Sequence, residues 1–124
     1  MKLSAFVQTL LLGAALALPA SALALEGVTR CPVDEVATFQ NRVHVRCGAR
    51  YWDKSPWPSY FAVPTSSSNE AARLVTMGTA AYMGDWQLQI FYDVDDMNAA
   101  SYGCANQDCR RPTKILLYKE YQFE

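Results

Sequence analysis

The chain has 124 residues, is 51% apolar and 19% charged, and carries a formal net charge of −1 with a single histidine. The low charge fraction argues against a long disordered chain, and the length leaves room for one domain. A balance this close to zero lacks the basic excess with which nucleic-acid binders displace counterions, and one histidine excludes a multi-histidine metal site.

Residues 1–24 read as a signal peptide. Met1-Lys2 gives a positive start, Phe6 to Leu18 is almost wholly apolar, Pro19 breaks the helix, and Ala22-Leu23-Ala24 supplies a small-x-small cleavage site. Ala20-Ser21-Ala22 fits a cut after Ala22 as well. The apolar run is shorter than the roughly 20 residues of a spanning helix. No cysteine directly follows it, as a lipoprotein anchor requires. The folded domain is therefore expected over residues 25–124, in a periplasmic or secreted product with no membrane span.

Val33 to Phe39 is the first strand candidate, and Gln40-Asn41 is a turn signal. Arg42 to Cys47 then alternates, with Val43, Val45 and Cys47 on one side and Arg42, His44 and Arg46 on the other. Period two predicts a half-buried strand with a wet, basic face, and the two segments a β-hairpin. Asp34 and Glu35, extended, point to opposite faces. Residues 53–59 hold two prolines around Trp57 and read as a loop. Tyr60 to Val63 is a third short strand, and Thr65 to Ser68 a polar break.

A helix is predicted over residues 69–83. Ser67 and Glu70 have capping-box spacing, and Leu74, Met77, Gly78, Ala81 and Tyr82 fall on one face. Gly78 and Ala81 are small enough to let the helix lie close on a sheet, and Gly84 suits the position after its end. Trp86 to Asp93 is the strongest strand, with Trp86, Leu88, Ile90 and Tyr92 on one face. Residues 93–113 read as an acidic and then cysteine-closed connection, and Lys114 to Tyr118 as the last strand.

All four cysteines lie beyond the signal segment, and an even count in a small exported domain reads as two disulfides. Pairing of near neighbours is favoured, Cys31–Cys47 and Cys104–Cys109. Chain-entropy arguments give ~3 and ~2 kcal/mol for the two loops. A four-thiolate zinc site is the competing arrangement, but neither spacing has its C-x2-C form.

The resulting fold class is β-rich α+β. A lone helix cannot cover both faces of a five-stranded sheet, so the sheet is expected to curl into a small OB-fold barrel with the helix between strands 3 and 4. Ser59-Tyr60-Phe61-Ala62-Val63, the helix 69–84, Gln87 to Asp93, and Gly103-Cys104-Ala105-Asn106-Gln107-Asp108-Cys109-Arg110 resemble the B subunit of subtilase cytotoxin and its exported bacterial relatives. The resemblance covers residues 33–118. It implies an OB-fold, export, a ring-shaped homopentamer and binding of sialylated glycans. Those B subunits place a serine beside the start of the first strand, where this chain reads Arg30-Cys31-Pro32-Val33-Asp34-Glu35. No toxin site residue is therefore carried over.

Candidate ligand-binding residues come from composition and pattern. Trp52, Trp57 and Tyr60 cluster around the proline loop, and aromatic faces stack on sugar rings. The bland alternative is that they fill the core or a subunit interface. Arg42, His44 and Arg46 form a stripe able to meet a carboxylate, or merely a solvated face. Asp93 to Asn98 has a carboxylate density suggesting calcium, but Met97 and the lack of glycine defeat an EF-hand loop. No nucleophile, base and oxyanion set assembles, so a non-catalytic module with no cofactor is expected, binding a glycan or a protein. An inhibitor of a lysozyme-type cell-wall hydrolase, with acidic residues 93–108 facing a basic enzyme, is the alternative.

Overall fold

The structure is a computed structural model that describes residues 25–48, 58–84, 86–105 and 107–119. The signal segment, Trp52 and Trp57 lie outside the described residues. The elements run β1 (Glu26–Cys31), β2 (Val33–Thr38), β3 (Arg42–Cys47), β4 (Tyr60–Pro64), α1 (Ser68–Met83), β5 (Trp86–Asp93), a 3-10 helix (Asn98–Tyr102), β6 (Cys109–Arg110) and β7 (Pro112–Lys119).

The class is α+β and β-rich, but seven strands stand where five were expected, and their ladders form two sheets rather than a closed barrel. One sheet has the order β1-β5-β7 and the other β2-β3-β4-β6. Two single-residue breaks account for much of the difference. Pro32 separates β1 from β2, and Arg111 followed by Pro112 separates β6 from β7. A proline has no N–H to donate, so each ladder is interrupted where the chain passes from one sheet to the other. β1 escaped the sequence pattern because its two buried positions are Thr29 and Cys31 rather than large aliphatics.

β5 behaves as its alternation requires. Leu88 and Ile90 are fully buried and Tyr92 nearly so. Trp86, expected on the same inward face, is 39% exposed at the strand end, where Lys119 Nζ lies 5.3 Å from its ring centroid. Both β1 and β7 pair with β5 antiparallel.

The helix buries Ala71, Leu74, Gly78 and Ala81. A Cβ at Gly78 would lie 2.7 Å from Val45 Cγ1, so only glycine permits this approach of helix to sheet. Tyr82, predicted on the buried stripe, is 58% exposed. Ser67 makes no side-chain capping bond to the helix backbone. Arg111 instead donates to Ser67 Oγ at 3.2 Å and to Glu70 Oε2 at 2.8 Å, tying the helix start to the link between β6 and β7. That carboxylate bond holds the Arg111 guanidinium above its ordinary pKa. Gly84 is extended, not left-handed.

Both favoured disulfides are present. Cys31–Cys47 joins the end of β1 to the end of β3 and so links the two sheets, while Cys104–Cys109 closes the loop before β6. The main core gathers Val43, Val45, Phe61, Val63, Leu74, Leu88, Ile90 and Tyr92 between sheets and helix. A second, smaller cluster of Ala62, Ala99, Tyr102, Cys104 and Cys109 lies against the four-stranded sheet. Among the described residues no helix is long and apolar enough to cross a membrane.

Candidate functional site

The hairpin β2–β3 turns at Gln40-Asn41, and its register pairs Ala37 with His44 and Glu35 with Arg46. Alternation therefore puts Glu35, Ala37, His44 and Arg46 on one face, opposite the core face that carries Val36, Val43 and Val45. The next strand adds Tyr60, opposite Arg46, and Ala62, opposite His44.

This face was predicted to be wet. Instead His44 is 6% exposed, and Ala62 beside it is fully buried. The reason lies in the 3-10 helix and the residues just after it, which pack on this face where an open connection was expected. The 3-10 helix and the Cys104–Cys109 loop fold over the sheet, and Tyr102 donates its hydroxyl to Ala62 O at 3.2 Å. Burial pushes the Tyr102 phenol above its ordinary pKa. The layer is held further by Arg110, which is fully buried and donates from Nε to Val94 O at 3.0 Å. Sequence reasoning gave Arg110 no role.

The polar residues of this face form a network that runs from buried His44 out to the exposed pair Asp34 and Arg46. His44 Nε2 lies 2.7 Å from Glu35 Oε1. Arg46 Nε donates to Asp34 Oδ1 at 2.8 Å, and its Nη1 lies 3.6 Å from Glu35 Oε2. The Asp34 hydrogen bond, then one to Tyr60, raises the Arg46 pKa above its ordinary value. Asp34 and Glu35 thus serve the same arginine, contrary to the expectation that they diverge. A register shift between Val33 and Glu35 is the cause, since a bulge breaks the period-two alternation at that point.

A cleft of about 320 Å³ opens onto this network, lined by Glu35, Arg42, His44, Tyr60 and the segment 103–105. Phe39 and Tyr60 place their ring centroids 5.1 Å from that of His44 on either side. The Arg42 guanidinium carbon sits 3.9 Å from the Phe39 ring centroid, a cation–π contact. Gly103 has φ 87°, and a Cβ there would lie 2.9 Å from Arg42 Nη1, so glycine both makes the turn and leaves room for the guanidinium.

Of the predicted site residues, Arg42, His44 and Tyr60 line one cleft, and Arg46 adjoins it through Glu35. Glu35, Phe39 and the segment 103–105 were not predicted. The first two were readable from the hairpin, because a two-residue turn at Gln40-Asn41 fixes which residues of β2 share a face with His44.

His44 Nδ1 and Arg42 Nε are buried and have no hydrogen-bond partner among the described residues. A buried polar atom left in that state costs about 1–3 kcal/mol. Among the described residues no group of three or more His, Cys, Asp or Glu could hold a metal ion. The acidic residues 93–98 instead bond to their own backbone, Asp95 N to Asp93 Oδ1 and Asn98 N to Asp96 Oδ1, each at 2.9 Å. The chain matches no family model, no curated protein and no solved structure.

Proposed function

We propose that the protein is an exported, non-catalytic binding module of the subtilase cytotoxin B-subunit type, using the His44 cleft to take a glycan. The observation that carries this reading is the cleft itself, which sets the polar side chains of Glu35, Arg42 and His44 beside the ring of Tyr60. Sugar sites combine such directed hydrogen bonds with aromatic surface. A carboxylate–imidazole pair also serves general bases, but the described residues lining this cleft include no serine, threonine or free thiol to activate.

The chain path supports an OB-type reading. β1 and β2 act as one strand bent at Pro32, pairing first with β5 and then with β3. β6 and β7 act as another, reaching β4 in parallel and β5 antiparallel. Counted this way there are five strands, with α1 between the third and fourth, and such barrels bind oligosaccharides on one face and adjacent loops. Both disulfides suit an oxidising compartment, in keeping with a periplasmic or secreted product. The assembly proposed by resemblance is a ring-shaped homopentamer.

A glycan array probed with the purified 25–124 product tests the reading, with light scattering for the mass. Binding that is lost in His44→Ala supports it, and silence across a broad array together with a monomeric mass overturns it. The alternative, inhibition of a lysozyme-type hydrolase, draws on the ordered acidic turn at Asp93, Asp95 and Asp96. Retention on immobilised lysozyme, with loss of lysozyme activity at equimolar ratio, decides for that alternative.

A further inference from the structure

A second pocket lies away from His44, where the two sheets part. β6 runs parallel to β4 through Tyr60↔Cys109 and Phe61↔Arg110, and beyond Arg111 the chain leaves β4 to pair with β5. Pro112, opposite Tyr92, has no N–H with which to continue a ladder to β4. Val63 of β4 and Ile115 of β7 are therefore not ladder partners. A pocket of about 220 Å³ opens between them, with α1 as its third wall.

The apolar surface of this pocket comes from Val63, Met77, Pro112 and Ile115. Met77 and Ile115 sit at the margin of the main core and are only partly buried, so part of each side chain stays uncovered. No aromatic residue is among the described residues lining the pocket, so no ring is there for a sugar face to stack on. It shares no lining residue with the His44 cleft.

Three charged residues also line it, and they are not equivalent. Glu70 Oε2 accepts from Arg111 Nε at 3.3 Å and from Nη2 at 2.8 Å, which offsets its charge. Lys114 Nζ lies 3.8 Å from the Phe91 ring centroid, a cation–π contact. Arg73 is exposed on α1 and has no hydrogen bond or ion pair among the described residues. The rim thus holds one uncommitted guanidinium, whose paired donors match a carboxylate. One such cation balances one negative charge, which suits a carboxylate better than a phosphate dianion.

A dry apolar cavity of about 150 Å³ holds a benzene ring, six carbons. On that scale 220 Å³ takes roughly eight or nine. Met77, unbranched and adaptable, suits a flexible chain. We propose that this pocket binds an alkyl carboxylate of about eight carbons, a medium-chain fatty acid, with its chain against Val63, Met77 and Ile115 and its head group on Arg73.

Methionine methyl NMR reads the site directly. Met77 lines the pocket, whereas Met83 and Met97, 77% and 45% exposed, lie outside it and serve as controls. Octanoate is expected to move the Met77 methyl resonance and leave the other two in place. Each methylene removed from the acid should weaken binding about fourfold, the worth of one buried CH2. Octanol and octylammonium, which lack the negative head, bind more weakly than octanoate. Arg73→Gln should weaken octanoate about fivefold, the upper range for an exposed ion pair, and leave octanol unchanged.

Equal binding of octanoate, octanol and octylammonium removes the head-group contact and overturns the proposal. Movement of all three methyl resonances together, the mark of a detergent-like coat, overturns it as well. N-acetylleucine binding more tightly than octanoate overturns the alkyl assignment in favour of a peptide C-terminus. Silence toward octanoate removes the site. If Arg73→Gln does not fold, the chain-length series on the wild type still decides.

Discussion

In the three-stranded sheet, β5 alternates without a break, and its neighbours follow. Leu88 and Ile90 point into the core, while Gln89 and Phe91 face outward, with Lys114 Nζ lying 3.8 Å from the Phe91 ring centroid. The four-stranded sheet has the same inward aliphatics, but its other face is also covered at His44 and Ala62. A bulge after Val33 brings Asp34 and Glu35 to one arginine, and Ala99, Tyr102 and Cys104 pack over Ala62 beside His44. One sheet is built for stability. The other gives up part of that simplicity and buries polar atoms without hydrogen-bond partners among the described residues. Burial of unspent hydrogen-bonding groups opposes folding, so their presence on one sheet marks where the molecule departs from pure packing.

Substitutions can break or sharpen this contrast. Ile90→Ala removes a fully buried side chain of the three-stranded sheet and is expected to cost about 2–5 kcal/mol in chemical denaturation. The folded fraction should keep its cleft, read as an unaltered His44 imidazole spectrum. The double change Cys31→Ser/Cys47→Ser cuts the covalent link between the sheets. It should lose about 3 kcal/mol, and a midpoint unchanged by reducing agent in the wild type is the contrary result.

On the four-stranded sheet, Glu35→Ala leaves Nε2 of buried His44 without its hydrogen-bond partner. A stability loss of about 1–3 kcal/mol is expected, together with a change of tautomer visible by NMR. A stability loss with no change at the imidazole contradicts the assigned network. Tyr102→Phe should have the smallest effect, about 1 kcal/mol for the lost bond to Ala62 O.

Tyr102 also gives the contrast a pH dependence. Burial raises its phenol above the ordinary value near 10, so the folded state favours the neutral form. The stabilisation is fully present below about pH 10 and fades as pH rises through the folded value. Tyr102→Phe should therefore show a shallower alkaline decline than wild type, measured by denaturant midpoints between pH 9 and pH 12. Equal slopes would mean that the covering layer opens before the phenol ionises.

Local pattern alone was sufficient for the hairpin, the helix, β5 and both cystine pairings. In each, the determining information lies within a few residues: a two-residue turn, a 3.6-residue stripe, an unbroken alternation, a short spacing between cysteines. The same turn register could have placed Glu35 and Phe39 beside His44, since residues paired across Gln40-Asn41 are fixed by counting. Capping at Ser67 was a local expectation that failed, because Arg111, far along the chain, competes for both Ser67 and Glu70.

Which face of a strand is inside is a different kind of question. The sequence by itself determined that Arg42, His44 and Arg46 share one face of β3 and that Val43, Val45 and Cys47 share the other. Only the tertiary structure decided that the first face is covered at His44, because the packing there comes in part from residues 102–105, more than fifty positions away, and period two is silent about a second layer. The division of the ladders at Pro32 and Arg111, the bulge that gathers Asp34 and Glu35, and the burial of His44 were settled there too. Each depends on where a distant segment comes to rest, a matter of long-range packing that no local spacing encodes.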